Sequence, residues 1–148
     1  MQAFIAGPLT DEKLRKLDFY IEIAAVCKEI GLETFLPHLQ TRAVDKPADE
    51  KLVFRLDIDG LKNSHLLIAD VSDPSHGVGT ELMQANFMKI PIVCLAIKGR
   101  ELSRMVTGNP MVKEIIRYDS REDCLMKLKE YLPTMKLATK SRRHKGLK

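Results

Sequence analysis

Apolar and polar positions along the chain predict short strands and amphipathic helices in turn. Gln2 to Ala6 is an apolar run that stops at Gly7-Pro8. Thr10 or Asp11 then caps a helix carrying Leu14, Leu17, Ile21 and Ala24 or Ala25 on one face. Gly31 suits the left-handed residue after that helix, and Glu33 to Leu36 reads as a second strand stopped by Pro37, with 37–48 as a polar loop. A helix from Ala48 to Asn63 places Leu52, Val53, Leu56 and Gly60 at helical spacing and leads into the apolar strand His65 to Ala69 before Asp70. A glycine-rich loop from Asp70 to Gly79 opens a helix through Lys89, broken at Pro91. Ile92 to Ile97 is again a strand without alternation. A short helix near Leu102 to Thr107, a strand at Glu114 to Tyr118, and a Ser120-capped helix with Leu125, Leu128 and Leu132 complete the series.

Strands that are apolar at every position are buried on both faces, as central parallel strands are. The pattern therefore predicts an α/β fold, flavodoxin/Rossmann-like, with a five-stranded parallel sheet and helices on both faces. Such sheets bind ligands beyond the carboxyl ends of their strands. That singles out the loops Gly7 to Thr10, Asp70 to Gly79 and Lys98 to Ser103.

Length and charge refine this picture. The 148 residues suit a single domain, expected over 1–135, with no internal repeat and no apolar run near the ~20 residues of a membrane span. The net charge of +4 is terminal: Lys136, Lys140, Arg142, Arg143, Lys145 and Lys148 lie within 136–148 without an acid, which leaves −2 for the remainder. That segment is expected to be a flexible basic tail, and specific nucleic-acid binding is not expected of it. The start MQAFIAGPLT lacks a basic region followed by a long apolar stretch, so no secretion signal is expected. Cys27, Cys94 and Cys124 form no CxxC pair, which argues against zinc and fits a reducing cytoplasm. Cys94 sits inside the apolar Ile92 to Ile97 run, where a thiol behaves as a small hydrophobe.

The chemistry-bearing stretch is Asp70 to Glu81. Gly77 and Gly79 are expected to let the backbone approach a ligand where a helix begins, its N–H groups facing an anion. A third glycine is missing, and the pair follows the third strand, so a dinucleotide loop is not indicated. Glu81 is expected in the first helical turn, where the dipole keeps a carboxylate ionised and usable as a nucleophile.

Five segments taken in order carry a resemblance: Phe4-Ile-Ala-Gly-Pro-Leu9, Phe54-Arg-Leu-Asp57, Ile68-Ala-Asp-Val71, Asp73-Pro-Ser-His-Gly-Val-Gly-Thr-Glu81 and Glu101-Leu-Ser-Arg-Met105. From about Phe4 to Tyr131 the chain resembles the nucleoside 2-deoxyribosyltransferase superfamily, most of all its 2'-deoxynucleoside 5'-monophosphate N-hydrolase branch. The resemblance implies that Glu81 attacks the anomeric carbon and that Asp57 contacts the base or protonates it as it leaves. A carboxylate would trap the oxocarbenium-like sugar covalently and water would release it with retained configuration; a 2-deoxy sugar eases that transition state, and no metal or cofactor is required. It further implies substrate contacts at Phe4, Gly7, Pro8, His38, Asp70, Ser75, Gly77, Gly79, Ser103 and Met105. Ser75 and Ser103 would hold the phosphate, with Ser103 reaching across a homodimer into the neighbouring site.

Two positions depart from the family pattern. Phe4 stands where a tyrosine hydroxyl is common, and Thr10 where the branch has a phosphate-binding arginine, leaving Lys13, Arg15, Arg42 or Arg104 as substitutes. Alternative readings are base exchange between deoxynucleosides through the same intermediate, and a nucleotide-binding module that has lost catalysis.

Overall fold

The computed structural model describes residues 1–8, 16–40 and 49–137. Its elements are β1 (Gln2–Ala6), α1 (Leu17–Glu29), β2 (Glu33–Phe35), α2 (Pro37–Gln40), α3 (Glu50–Lys62), β3 (Leu66–Asp70), α4 (His76–Phe87), β4 (Ile92–Ile97), α5 (Arg104–Thr107), β5 (Val112–Tyr118) and α6 (Arg121–Tyr131). Among the described residues the strands form one five-stranded, all-parallel sheet in the order β2-β1-β3-β4-β5. The chain runs outward in both directions from β1 and β3, and their carboxyl ends mark the switch point where such sheets leave a crevice.

Alternation along β1 assigns the two faces. Ala3 and Ile5 pack with Phe19, Tyr20, Ile23 and Cys27 of α1 and with Cys124 and Leu128 of α6. Phe4 and Ala6 pack on the opposite side with Leu61 of α3 and with Val78, Leu82 and Ala85 of α4. The helices thus cover both faces, α1 and α6 on one and α3 and α4 on the other. No described helix is long and apolar enough to cross a membrane.

Several sequence expectations change. The buried face of α1 is Phe19, Tyr20, Ile23, Val26 and Cys27, whereas Ile21 is exposed. Tyr20 has a hydroxyl that the pattern counts as polar, yet its ring fills the interior and its oxygen finds a partner there. The expected caps Thr10 and Asp11 lie outside the described residues. The stretch after Pro37 begins as the short helix α2, not as loop, and Leu56 of α3 is exposed. Glycine-rich 70–79 is not all loop either, since α4 starts at His76 and contains both Gly77 and Gly79. On α6, Ser120 caps as expected, accepting a 3.1 Å hydrogen bond from the Asp123 N–H. Met135 and Leu137 still pack on the core, and the remaining tail, 138–148, lies outside the described residues.

Candidate active site

Helix α4 begins where the chain leaves the carboxyl end of β3. Ser75 is extended (φ −151°, ψ 126°), and its hydroxyl oxygen accepts from the Val78 N–H at 3.3 Å. The helical ladder starts with Gly79 N–H on the Ser75 carbonyl at 3.0 Å, so the N–H groups of His76 and Gly77 lie ahead of it. A Cβ on Gly79 would meet nothing within 4 Å, and on Gly77 nothing closer than the Ser75 hydroxyl at 3.9 Å. Both glycines leave bare backbone facing open space.

That space divides into two cavities on either side of the start of α4. One, of about 330 Å³, lies between α3 and α4 and is lined by Val53, Phe54, Asp57, Gly77 and Glu81 among others. The other, of about 450 Å³, is lined by Asp73, Ser75, Gly79, Glu101, Ser103 and Met105 among others. The structure therefore brings Glu81, Asp57 and Gly77 to one cavity, and Ser75, Gly79, Ser103 and Met105 to its neighbour. Asp59, two residues beyond Asp57, is exposed on another face of α3.

The electrostatics of the first cavity depart from the sequence expectation. Glu81 is the sixth residue of α4, in its second turn, beyond the N–H groups that would hold it ionised. Burial, and then the charge of Asp57, push its carboxyl up to about 8. Burial likewise raises Asp57 to about 6, and its Oδ1 has no hydrogen-bond partner among the described residues. In the free protein near neutral pH, Asp57 is thus the ionised member and Glu81 the protonated one. A close pair of carboxyls pushed apart in this way can divide acid and nucleophile roles between them.

The remaining predicted residues line neither cavity. Phe4 is fully buried and stacks on Phe35 with ring centroids 5.1 Å apart, and Phe35 in turn lies against Gly60, where a Cβ would come within 2.4 Å of the ring. Gly7 is held bare by Tyr20, whose ring would lie 2.2 Å from a Cβ there. Pro8 is buried beside it. His38 is buried in α2 with its ring 5.0 Å from that of Tyr20, not exposed in a loop. Asp70, at the end of β3, is buried and accepts from the Tyr20 hydroxyl (2.9 Å), Lys16 Nζ (3.2 Å) and the Ser72 N–H (3.1 Å). These contacts tie the ends of β1 and β3 to α1 and fix the floor of the crevice.

Sequence reasoning passed over Tyr20, Lys16 and Arg100. Lys16 Nζ also reaches Asp73 Oδ2 at 3.0 Å, and Arg100 Nη1 lies 3.4 Å from Asp73 Oδ1. Of the four suggested stand-ins for the phosphate arginine, Lys13, Arg15 and Arg42 lie outside the described residues, while Arg104 opens α5. Cys94, set aside as a nucleophile, is fully buried, and burial pushes its thiol up to about 12.

Residues 3–131 match the nucleoside 2-deoxyribosyltransferase family. A Methanosarcina mazei protein named "Putative 2'-deoxynucleoside 5'-phosphate N-hydrolase 1" is 32% identical over 123 residues, which cover 80% of this chain and 76% of that one. A Danio rerio protein named 5-hydroxymethyl-dUMP N-hydrolase is 34% identical over 100 residues, covering 66% of this chain and 69% of its own. Among solved structures, the CMP N-glycosidase BcmB of Clostridium botulinum shares the fold with a TM-score of 0.71 at 21% identity, over 89% of this chain and 100% of that one. The chain belongs to the nucleoside 2-deoxyribosyltransferase family.

Proposed function

We propose that the protein is an N-glycosidase that hydrolyses 2'-deoxynucleoside 5'-monophosphates to free base and 2-deoxyribose 5-phosphate, with Glu81 as nucleophile and Asp57 as acid. The observation that carries this reading is the pairing of Glu81 with Asp57 in one cavity beside the bare backbone of Gly77. The names of the relatives support hydrolysis as the outcome.

Between about pH 6 and about pH 8 the pair holds one proton. A nucleobase seated against Asp57 offers that carboxyl a hydrogen-bond partner and favours the proton there, which leaves Glu81 ionised. Glu81 then forms a bond to C1' as the bond from C1' to the base nitrogen breaks; the electron pair leaves with the base, which takes the proton from Asp57. A water attacks C1' next, Asp57 accepts its proton, and Glu81 departs as carboxylate, so configuration is retained. The apolar walls given by Val53, Phe54 and Ile58 suit a flat base.

The phosphate falls to the neighbouring cavity. The Ser75 and Ser103 oxygens each accept from a backbone N–H of their own helix, Val78 and Met105, which leaves each hydroxyl proton to donate. A homodimer in which Ser103 completes the partner's site agrees with the exposure of Met83, Phe87 and Met105, the last at 79%. The test is release of free base from dGMP or dCMP, compared with exchange between deoxyadenosine and cytosine. Base release that falls by about 10³-fold or more in Glu81→Ala is expected; cleavage of neither substrate set by the wild type would refute the reading.

A further inference from the structure

The second cavity has serine hydroxyls for a phosphate, while among the described residues its wall carries His76 but no permanent cation. Among the described residues that line it are the acids Asp73 and Glu101 and no lysine or arginine. Phosphate at neutral pH carries close to two negative charges, and recognition of it calls for a positive partner. Two cations stand just behind the wall, both on Asp73: Lys16 on Oδ2 and Arg100 on Oδ1.

They are not equivalent. Lys16 also holds Asp70, whose side chain is wholly buried, so drawing the ammonium away would strand a buried carboxylate. Arg100 is 53% exposed and makes a long 3.4 Å contact to an aspartate that is itself 29% exposed. Its backbone is nevertheless fixed. The turn after β4 bends through Gly99 at φ +82°, the Arg100 N–H bonds the Ile97 carbonyl at 3.2 Å, and Arg117 Nη1 donates to the Arg100 carbonyl at 3.0 Å. A guanidinium on a fixed turn with a loosely held side chain can leave Asp73 for a better anion, while Asp73 keeps Lys16.

We propose that Arg100 is the specificity residue that reads the substrate's 5'-phosphate, replacing the arginine missing at Thr10, and that Asp73 holds it in waiting and competes with the phosphate. This rests on the reading of the substrate as a 5'-monophosphate. The planar guanidinium takes two phosphate oxygens at once, with the Ser75 hydroxyl on a third.

The test is calorimetric titration of the full chain with 2-deoxyribose 5-phosphate, for wild type, Arg100→Ala, Arg104→Ala and Asp73→Asn, with the preference for dGMP over deoxyguanosine in kcat/KM as second readout. Arg100→Ala is expected to weaken binding by about tenfold or more and to lower that preference by a similar factor. Asp73→Asn is expected to tighten binding, which loss of a merely structural ion pair would not do. Arg100→Ala binding within twofold of wild type, absence of wild-type binding, or a loss that falls on Arg104→Ala instead would each overturn the proposal. Arg100-dependent binding without base release from any nucleotide would sink the glycosidase reading and leave Arg100 standing. Base release with an unchanged preference in Arg100→Ala would do the reverse.

Discussion

Glu81 of α4 and Asp57 of α3 face one cavity, and after burial it is the charge of Asp57 that holds the Glu81 carboxyl up to about 8. The nucleophile of the proposed reaction is thus kept protonated at rest first by its burial and then by the charge of its own acid partner. A carboxylate freely ionised at rest would instead hold no proton to share with that partner.

The pH profile follows from this pairing. Activity needs one proton in the pair, so kcat/KM is expected to rise through about pH 6 and fall through about pH 8. Asp57→Asn removes both the acid and its charge. The alkaline limb then disappears, the remaining limb rises with pH at a midpoint below 8, and the rate falls by about 10² to 10⁴-fold. Steady-state kinetics across pH 5 to 9 would check this, and a wild-type profile with no alkaline limb would contradict it.

Stability should respond in the same window. A carboxyl whose pKa rises from 4.5 to about 8 on folding stabilises the native state fully below about 4.5, and that contribution is lost as pH climbs through about 8. Glu81→Gln cannot ionise. It is therefore expected to match wild type in urea unfolding at pH 5 and to be more stable by about 1 to 3 kcal/mol at pH 8.5, a range reduced for the partial exposure of Glu81. An equal difference at both values would show that Glu81 is not buried as described.

The two cavity glycines and the two packed ones should behave oppositely. Gly77→Ala meets nothing closer than 3.9 Å and improves helix propensity, so it is expected to gain about 0.5 to 1 kcal/mol in stability while losing activity, because the new methyl enters the cavity. Gly7→Ala drives into the Tyr20 ring and disturbs its bond to buried Asp70, costing about 2 to 4 kcal/mol. Chemical denaturation and base release measured on both variants separate the two effects.

If Ser103 serves the partner's site, two inactive variants should rescue each other. Mixing Glu81→Ala with Ser103→Ala after brief unfolding and refolding produces heterodimers with one doubly damaged and one intact site. About a quarter of wild-type activity is expected from random pairing of two such chains. No recovery, with both variants folded, would place Ser103 in its own chain's site.

The central strands are legible because β4 is apolar throughout and β1 and β3 are apolar apart from Gln2 and Asp70 at their ends, a pattern that suits strands buried on both faces. The buried face of α1 is not, since it depends on Tyr20 being buried by a hydrogen bond to Asp70, fifty residues away. The start of α4 is hidden in the sequence because glycines suggest loop, whereas Ser75 caps the helix, which runs on through Gly77 and Gly79. The protonation of Glu81 is set by burial and by Asp57 on another helix, neither of which is written near Glu81 in the chain. Lys16 and Arg100 likewise meet at Asp73 only once the sheet is assembled.

The most direct test of the central claim is acid-quenched peptide mass spectrometry of the protein during turnover of dGMP. A 2-deoxyribose 5-phosphate adduct on Glu81 within the α4 peptide is predicted, absent from Glu81→Ala. Base release at the wild-type rate by Glu81→Ala, with no adduct on any peptide of the wild type, would contradict it.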